Sequence, residues 1–170
     1  MNCIVNPLEL WPFAAIRRNH ALEHATITVL SQRCTDLSLV GRSDWAGFTL
    51  YGPVDTDEVR TAVSIALQRL RAGEGQLAIH RQCGTNVSTG VVLAGLASYA
   101  ALRSKRRSRL VKALRLLLGL GAALALAQPL GIKVQERITT SLDVAGLRVA
   151  DIRRLERGKL VMHRIETMQE

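Results

Sequence analysis

The sequence predicts an α+β fold, a small helix/strand domain interrupted by a two-helix transmembrane hairpin. Three observations carry this: apolar residues at helical steps near the N-terminus, two nearly charge-free runs around one basic turn, and short alternating runs on either side of them. A two-span hairpin returns the chain to the side it left, so both flanks can share one sheet. The expected division is residues 1–86 as an α+β domain, 87–132 as the hairpin, and 133–170 as a β-rich segment packing on the first domain.

Phe13, Ile16, His20, Glu23, Ile27 and Leu30 recur at three- and four-residue steps, which predicts a helix over 12–32. Residues 37–40 and 47–51 mix branched, aromatic and alternating side chains between breakers and read as strands, with 41–46 as the loop of a hairpin. Asp55 followed by Glu58 is a capping pattern, and Val59, Ala62, Val63, Ala66, Leu67 and Leu70 keep helical spacing up to Gly73. Residues 76–80 read as a further strand. Thr85 or Asn86 then caps the first apolar helix. Beyond the second apolar run, 134–144 and 147–155 are of extended type, and Arg157-Gly158 turns the chain into a last strand over 159–165.

The apolar runs, 87–102 and 116–132, are each slightly shorter than the roughly 20 residues of an average bilayer crossing, a deficit that snorkelling basic flanks and local thinning can absorb. Gly90, Ala94 and Ser98 recur every fourth residue in the first, as do Gly119, Ala123 and Ala127 in the second. Such stripes let two helices approach closely where lipid gives no hydrophobic drive for association. A buried helical hairpin in a soluble protein is the competing reading; apolar character all round each helix argues for lipid. Pro129 and Gly131 are expected to end or bend the second helix.

The net charge of +9 is local. The stretch from Arg103 to Arg115 has seven basic residues and no acidic one, while the rest of the chain is nearly balanced. A nucleic-acid interface spreads its charge over a folded face and interleaves aromatics, which are scarce here, so no nucleic-acid partner is expected. The partner expected is membrane lipid. By the positive-inside rule, the basic loop 103–109 lies in the cytoplasm and both flanks on the opposite side of the cell membrane. Cys3, Cys34 and Cys83 are odd in number and form no C-x-x-C pair, so no disulfide framework is implied. Residues 1–16 lack an early basic cluster and a sustained apolar stretch, so a cleaved secretory signal is not expected.

The sharpest chemical signal is His20-Ala-Leu-Glu-His24. Residues four apart share a helix face, so both imidazoles can reach one divalent ion, with Glu23 beside them as a base. The apolar side of the predicted helix carries the motif, and buried polar groups of this kind need partners, which a metal supplies. A hydrogen-bonded pair of core histidines is the plainer alternative. His163 reads as an exposed residue of the last strand, and Arg153, Arg154 and Arg157 as a solvated strand edge.

The order H-x-x-E-H resembles that of the inverzincin metallopeptidases, and the run Ala46-Gly-Phe-Thr-Leu-Tyr-Gly52 followed by the helix from Asp55 is similar to the strand and helix after their active-site helix. The resemblance implies zinc bound by His20 and His24, with Glu23 activating water for peptide hydrolysis, and the closeness of Cys83 to the first apolar run makes a membrane-associated peptide or protein the expected substrate. That family takes its third ligand from a downstream helical glutamate. Here Glu74 falls in an Arg-Ala-Gly-Glu-Gly loop, which leaves the third ligand open among Cys83, the strongest by its soft thiolate, His80 and Glu74. With both Cys83 and His80 bound, the shell closes and the metal is structural, which fits a non-enzymatic protein acting in assembly. A cysteine nucleophile built from His80, Cys83 and Asn86 has little support from their closeness in sequence. The whole pattern, with the Cys83-Gly-Thr-Asn86 run, also resembles an uncharacterised family of bacterial membrane proteins.

Overall fold

The computed structural model of the chain describes residues 6–34, 37–103, 108–158 and 160–169. They form two compact units, Met1–His80 with Arg137–Glu170, and Arg81–Glu136. The expected α+β class holds: among the described residues, four α-helices accompany one antiparallel sheet of four strands.

In the first unit, helix α1 (Phe13–Arg33) is followed by β1 (Val40–Asp44), β2 (Gly47–Tyr51) and α2 (Thr56–Arg71), and the later segment adds β3 (Leu147–Arg157) and β4 (Leu160–Gln169). The sheet order is β1-β2-β4-β3, so strands from the two ends of the sequence pair at its centre, Phe48 opposite Ile165 and Leu50 opposite His163. Both helices pack on one face of the sheet, where Leu22, Leu30, Phe48, Leu50, Val59, Val63, Leu147 and Ile165 form the core. Asp55 caps α2 by accepting from the Asp57 amide rather than through a reciprocal box with Glu58, whose carboxylate takes Arg33 instead. At the β3 edge, Arg60 and Arg71 of α2 donate to the carbonyls of Ile152 and Leu147.

Several expectations shift. The strand expected at 37–40 runs over Val40–Asp44, and the hairpin turns through Trp45-Ala46 alone. The Asp44 carboxylate accepts the Ala46 amide at 2.8 Å, and Gly47 takes φ +144°, a geometry open to glycine, so the tight turn needs no longer loop. Residues 76–80 form no strand: Gly75–Ala78 is a 3-10 turn. Residues 134–144 contain a π-helical turn, Gln135–Thr139, and irregular backbone in place of a strand. His163 is fully buried, not exposed, because β4 is an interior strand and position 163 shares the inward face with Ile165.

The second unit is a pair of packed antiparallel helices, α3 (Gly84–Leu102) and α4 (Arg109–Val134). Both are long and apolar enough to cross a membrane. Their outer faces carry exposed Val87, Val91, Leu96, Leu117, Leu118 and Leu124. Small residues face inward: a Cβ on Gly90 would lie 3.1 Å from that of Ala127, and one on Gly119 2.9 Å from that of Ala97. α4 continues through Pro129 to Val134. At the open end of the pair, Gln135 donates to Asn86 Oδ1 at 2.7 Å and Asn86 Nδ2 to the Arg81 carbonyl at 2.6 Å, with Gly131 against Asn86. Asn86 is therefore a buried bridge, and the residue that caps α3 is Cys83. Most of the basic loop, residues 104–107, lies outside the described residues.

Candidate metal centre

Helix α1 presents its motif in two directions. Phe13, Arg17, His20 and His24 follow one another at four-, three- and four-residue steps and so form one stripe. The rings of His20 and His24 meet edge to face, their centroids 4.2 Å apart. His20 Nδ1 lies 2.9 Å from the Thr139 carbonyl and His24 Nδ1 2.7 Å from that of Ala78. A carbonyl only accepts, so both Nδ1 atoms carry a proton, and in the neutral form of each ring the lone pair lies on Nε2. That is the tautomer in which a histidine serves as a metal ligand with its other nitrogen anchored.

Glu23, one position before His24, turns its carboxylate to Gly41 and Ser43 of β1. It is buried, and burial, the largest influence, pushes its pKa above the ordinary carboxylate value, against the opposing effects of a hydrogen bond from the Ser43 hydroxyl and the charge of His20. Gly41 makes the room: a Cβ there would fall 2.0 Å from Glu23 Oε1. Neither Gly41 nor Ser43 was singled out from the sequence. Their two-residue spacing places them on one face of a strand, a signal that becomes visible only once the strand starts at Val40.

Asn19, beside the motif and fully buried, donates to the Asp44 carbonyl at 2.8 Å and accepts from the Thr167 hydroxyl at 2.7 Å, tying α1 to both β1 and β4. The side chain of Arg17 bonds the Leu8 and Thr140 carbonyls and the Glu9 carboxylate.

The His80 ring lies 5.8 Å from that of His24, and burial lowers its pKa. Glu74 is gripped by Arg69, with Nε 2.9 Å and 3.0 Å from its two oxygens, and this pairing holds its pKa down. Cys83 belongs to the second unit, where it is buried at the first turn of α3 and accepts from the Thr85 amide.

Residues 15–152, which span the motif helix, both apolar helices and the start of β3, match the family described as "Domain of unknown function (DUF6391)". The chain belongs to this family. It is also 41% identical over 141 residues to an uncharacterised protein of Picosynechococcus sp., the match covering 75% of this chain. The chain spans 66% of that relative's length, just under two thirds. No solved structure matches. The expected likeness to an uncharacterised family is thus met, and the likeness to metallopeptidases rests on the motif alone.

Proposed function

We propose that the chain is a membrane-anchored, zinc-dependent hydrolase of the metallopeptidase kind. In this reading His20, His24 and Cys83 hold the ion, Glu23 exchanges the proton, and a membrane-associated peptide or protein is the substrate. The observation that carries it is the pair of Nδ1 anchors, which commit both imidazoles of a helical H-x-x-E-H run to the ligand tautomer. Cys83 follows His80 by three residues, a reach of at most about 11 Å, and His80 already touches His24, so the chain tethers a thiolate to the histidine pair. Two imidazoles and a thiolate suit zinc and leave a fourth position. When bound, zinc supplies Lewis acidity, which acidifies water and polarises a carbonyl. Glu23, with its raised pKa and the Ser43 hydroxyl fixing one carboxylate oxygen, is suited to accept a proton from a water and return it to a leaving amine.

One observation favours a second reading. The contact of His80 with His24 offers a fourth ligand, and a closed shell is a structural site that serves folding or assembly.

Metal analysis of gently purified protein tests both. Expected is one zinc per chain in the wild type, lost in His20→Ala and Cys83→Ala and kept in Glu23→Gln. Metal-free wild type overturns the hydrolase. Zinc that is also lost in His80→Ala selects the structural site.

A further inference from the structure

We propose that the N-terminal turn of α1 is a lipid-contacting foot: Leu10, Trp11 and Phe13 insert at the interface of the bilayer that α3 and α4 cross. This rests on reading α3 and α4 as membrane spans, and it assigns a role to residues outside the candidate metal site.

Three observations converge on it. First, Leu10, Trp11 and Phe13 are all large, apolar and exposed, Trp11 at 75%. They stand together at the start of a helix whose remaining length is mostly buried. Tryptophan and phenylalanine are the side chains that settle at the level of lipid headgroups.

Second, the chain leaves for the hairpin and returns from it along α1. The outgoing segment lies at His24, through the Ala78 carbonyl and the His80 ring, four residues before α3 begins. The returning segment lies at His20 and Arg17: the Thr139 carbonyl meets His20, the Thr140 carbonyl meets Arg17 Nη2 at 3.0 Å, and the Ser141 amide donates to the Arg17 carbonyl at 3.2 Å. His24 and Arg17 are seven residues apart, about 10 Å along the helix axis.

Third, the foot is the next point on that line. Phe13 lies one turn before Arg17, about 6 Å further along, on the stripe that receives both segments. Arg17 also holds the segment that leads into the foot, through the Leu8 carbonyl and the Glu9 carboxylate. If two tethers on one helix face lead into a bilayer, a third point on that face meets the same surface. An amphipathic aromatic cluster is the chemistry suited to that depth, and its insertion would lay the stripe bearing His20 and His24 along the membrane.

Trp11 and Trp45 are the two tryptophans of the chain, so each can be isolated. The full chain carrying Trp45→Phe is reconstituted into phosphatidylcholine vesicles brominated high on the acyl chains. The control is Trp11→Phe/Trp45→Phe with Val91→Trp, which puts the fluorophore on an exposed position of α3. Expected is a blue-shifted Trp11 emission, quenched by brominated lipid to an extent comparable with the Val91→Trp control and shielded from acrylamide. Control quenched with Trp11 unquenched overturns the foot and leaves the spans standing. Neither quenched overturns both.

Discussion

Gly41 shows how one missing side chain can set up a charged group. Its Cα faces Glu23 so closely that any Cβ collides with the carboxylate. Gly41→Ala should therefore lower stability by about 1–3 kcal/mol, as overpacking does, measured by chemical denaturation. The loss should shrink in a Glu23→Ala background, since the two residues are in contact and their effects should not add. His163 makes a second residue-scale case. Its Nε2 lies 3.1 Å from the Thr56 hydroxyl. Burial first, and the charge of its cross-strand neighbour Arg154 second, lower its pKa against the pull of Asp55. A depressed histidine pKa means that the unfolded chain binds the proton first. Stability is fully present above the ordinary value of 6.5 and is lost as pH falls through the folded pKa. Replacing His163 by Gln should flatten that stretch of a stability-against-pH curve. An unchanged slope would place the acid sensitivity elsewhere.

At the scale of elements, α3 and α4 depend on small residues whose positions differ in tolerance. A Cβ on Gly119 would meet Ala97 at 2.9 Å, whereas one on Gly121 would meet nothing within 4 Å. Gly119→Ala should weaken the hairpin by about 1–2 kcal/mol, while Gly121→Ala should be neutral or stabilise it by up to about 1 kcal/mol through helix propensity. Thermal unfolding in detergent followed by circular dichroism reads both. The sequence held most of the helices because their signals are periodic and local: α1 and α2 appear where Phe13 to Leu30 and Val59 to Leu70 repeat. Strand boundaries were less legible. β1 begins three residues later than its apolar run because its inward positions are Gly41 and Ser43, chosen for Glu23 and not for hydrophobicity. The π-turn after α4 and the Asn86 bridge were illegible for a related reason, as their hydrogen-bond partners lie about fifty residues away in sequence. At the site, the motif pointed to the histidine pair, but its carbonyl anchors come from residues 54 and 119 positions distant.

For the molecule as a whole, the described basic residues Arg103, Arg109, Lys112 and Arg115 sit toward the end of the helix pair far from Asn86 and Gln135. If both helices span a membrane, the positive-inside rule sets the basic turn in the cytoplasm. Cysteines at Ser104 and Met168, introduced one at a time with Cys3 and Cys34 replaced by Ser and read against the parent that keeps the buried Cys83, should then label from opposite sides of intact cells. Labelling from the same side would refute the two-span arrangement. The β3 edge has a bearing at this scale as well. A hairpin-anchored chain would meet its own copies within a plane, where encounter is frequent and orientation is restricted. An open eleven-residue strand is then a standing invitation to polymerise edge to edge. Arg60 and Arg71 occupy two of its carbonyls, and its border is a row of charged side chains in which Arg153 pairs with Asp151 and Glu166 and Arg154 with Glu156. A neighbouring strand would have to displace the Arg60 and Arg71 side chains and strip water from this row, which keeps the sheets of neighbouring chains from joining into a fibre.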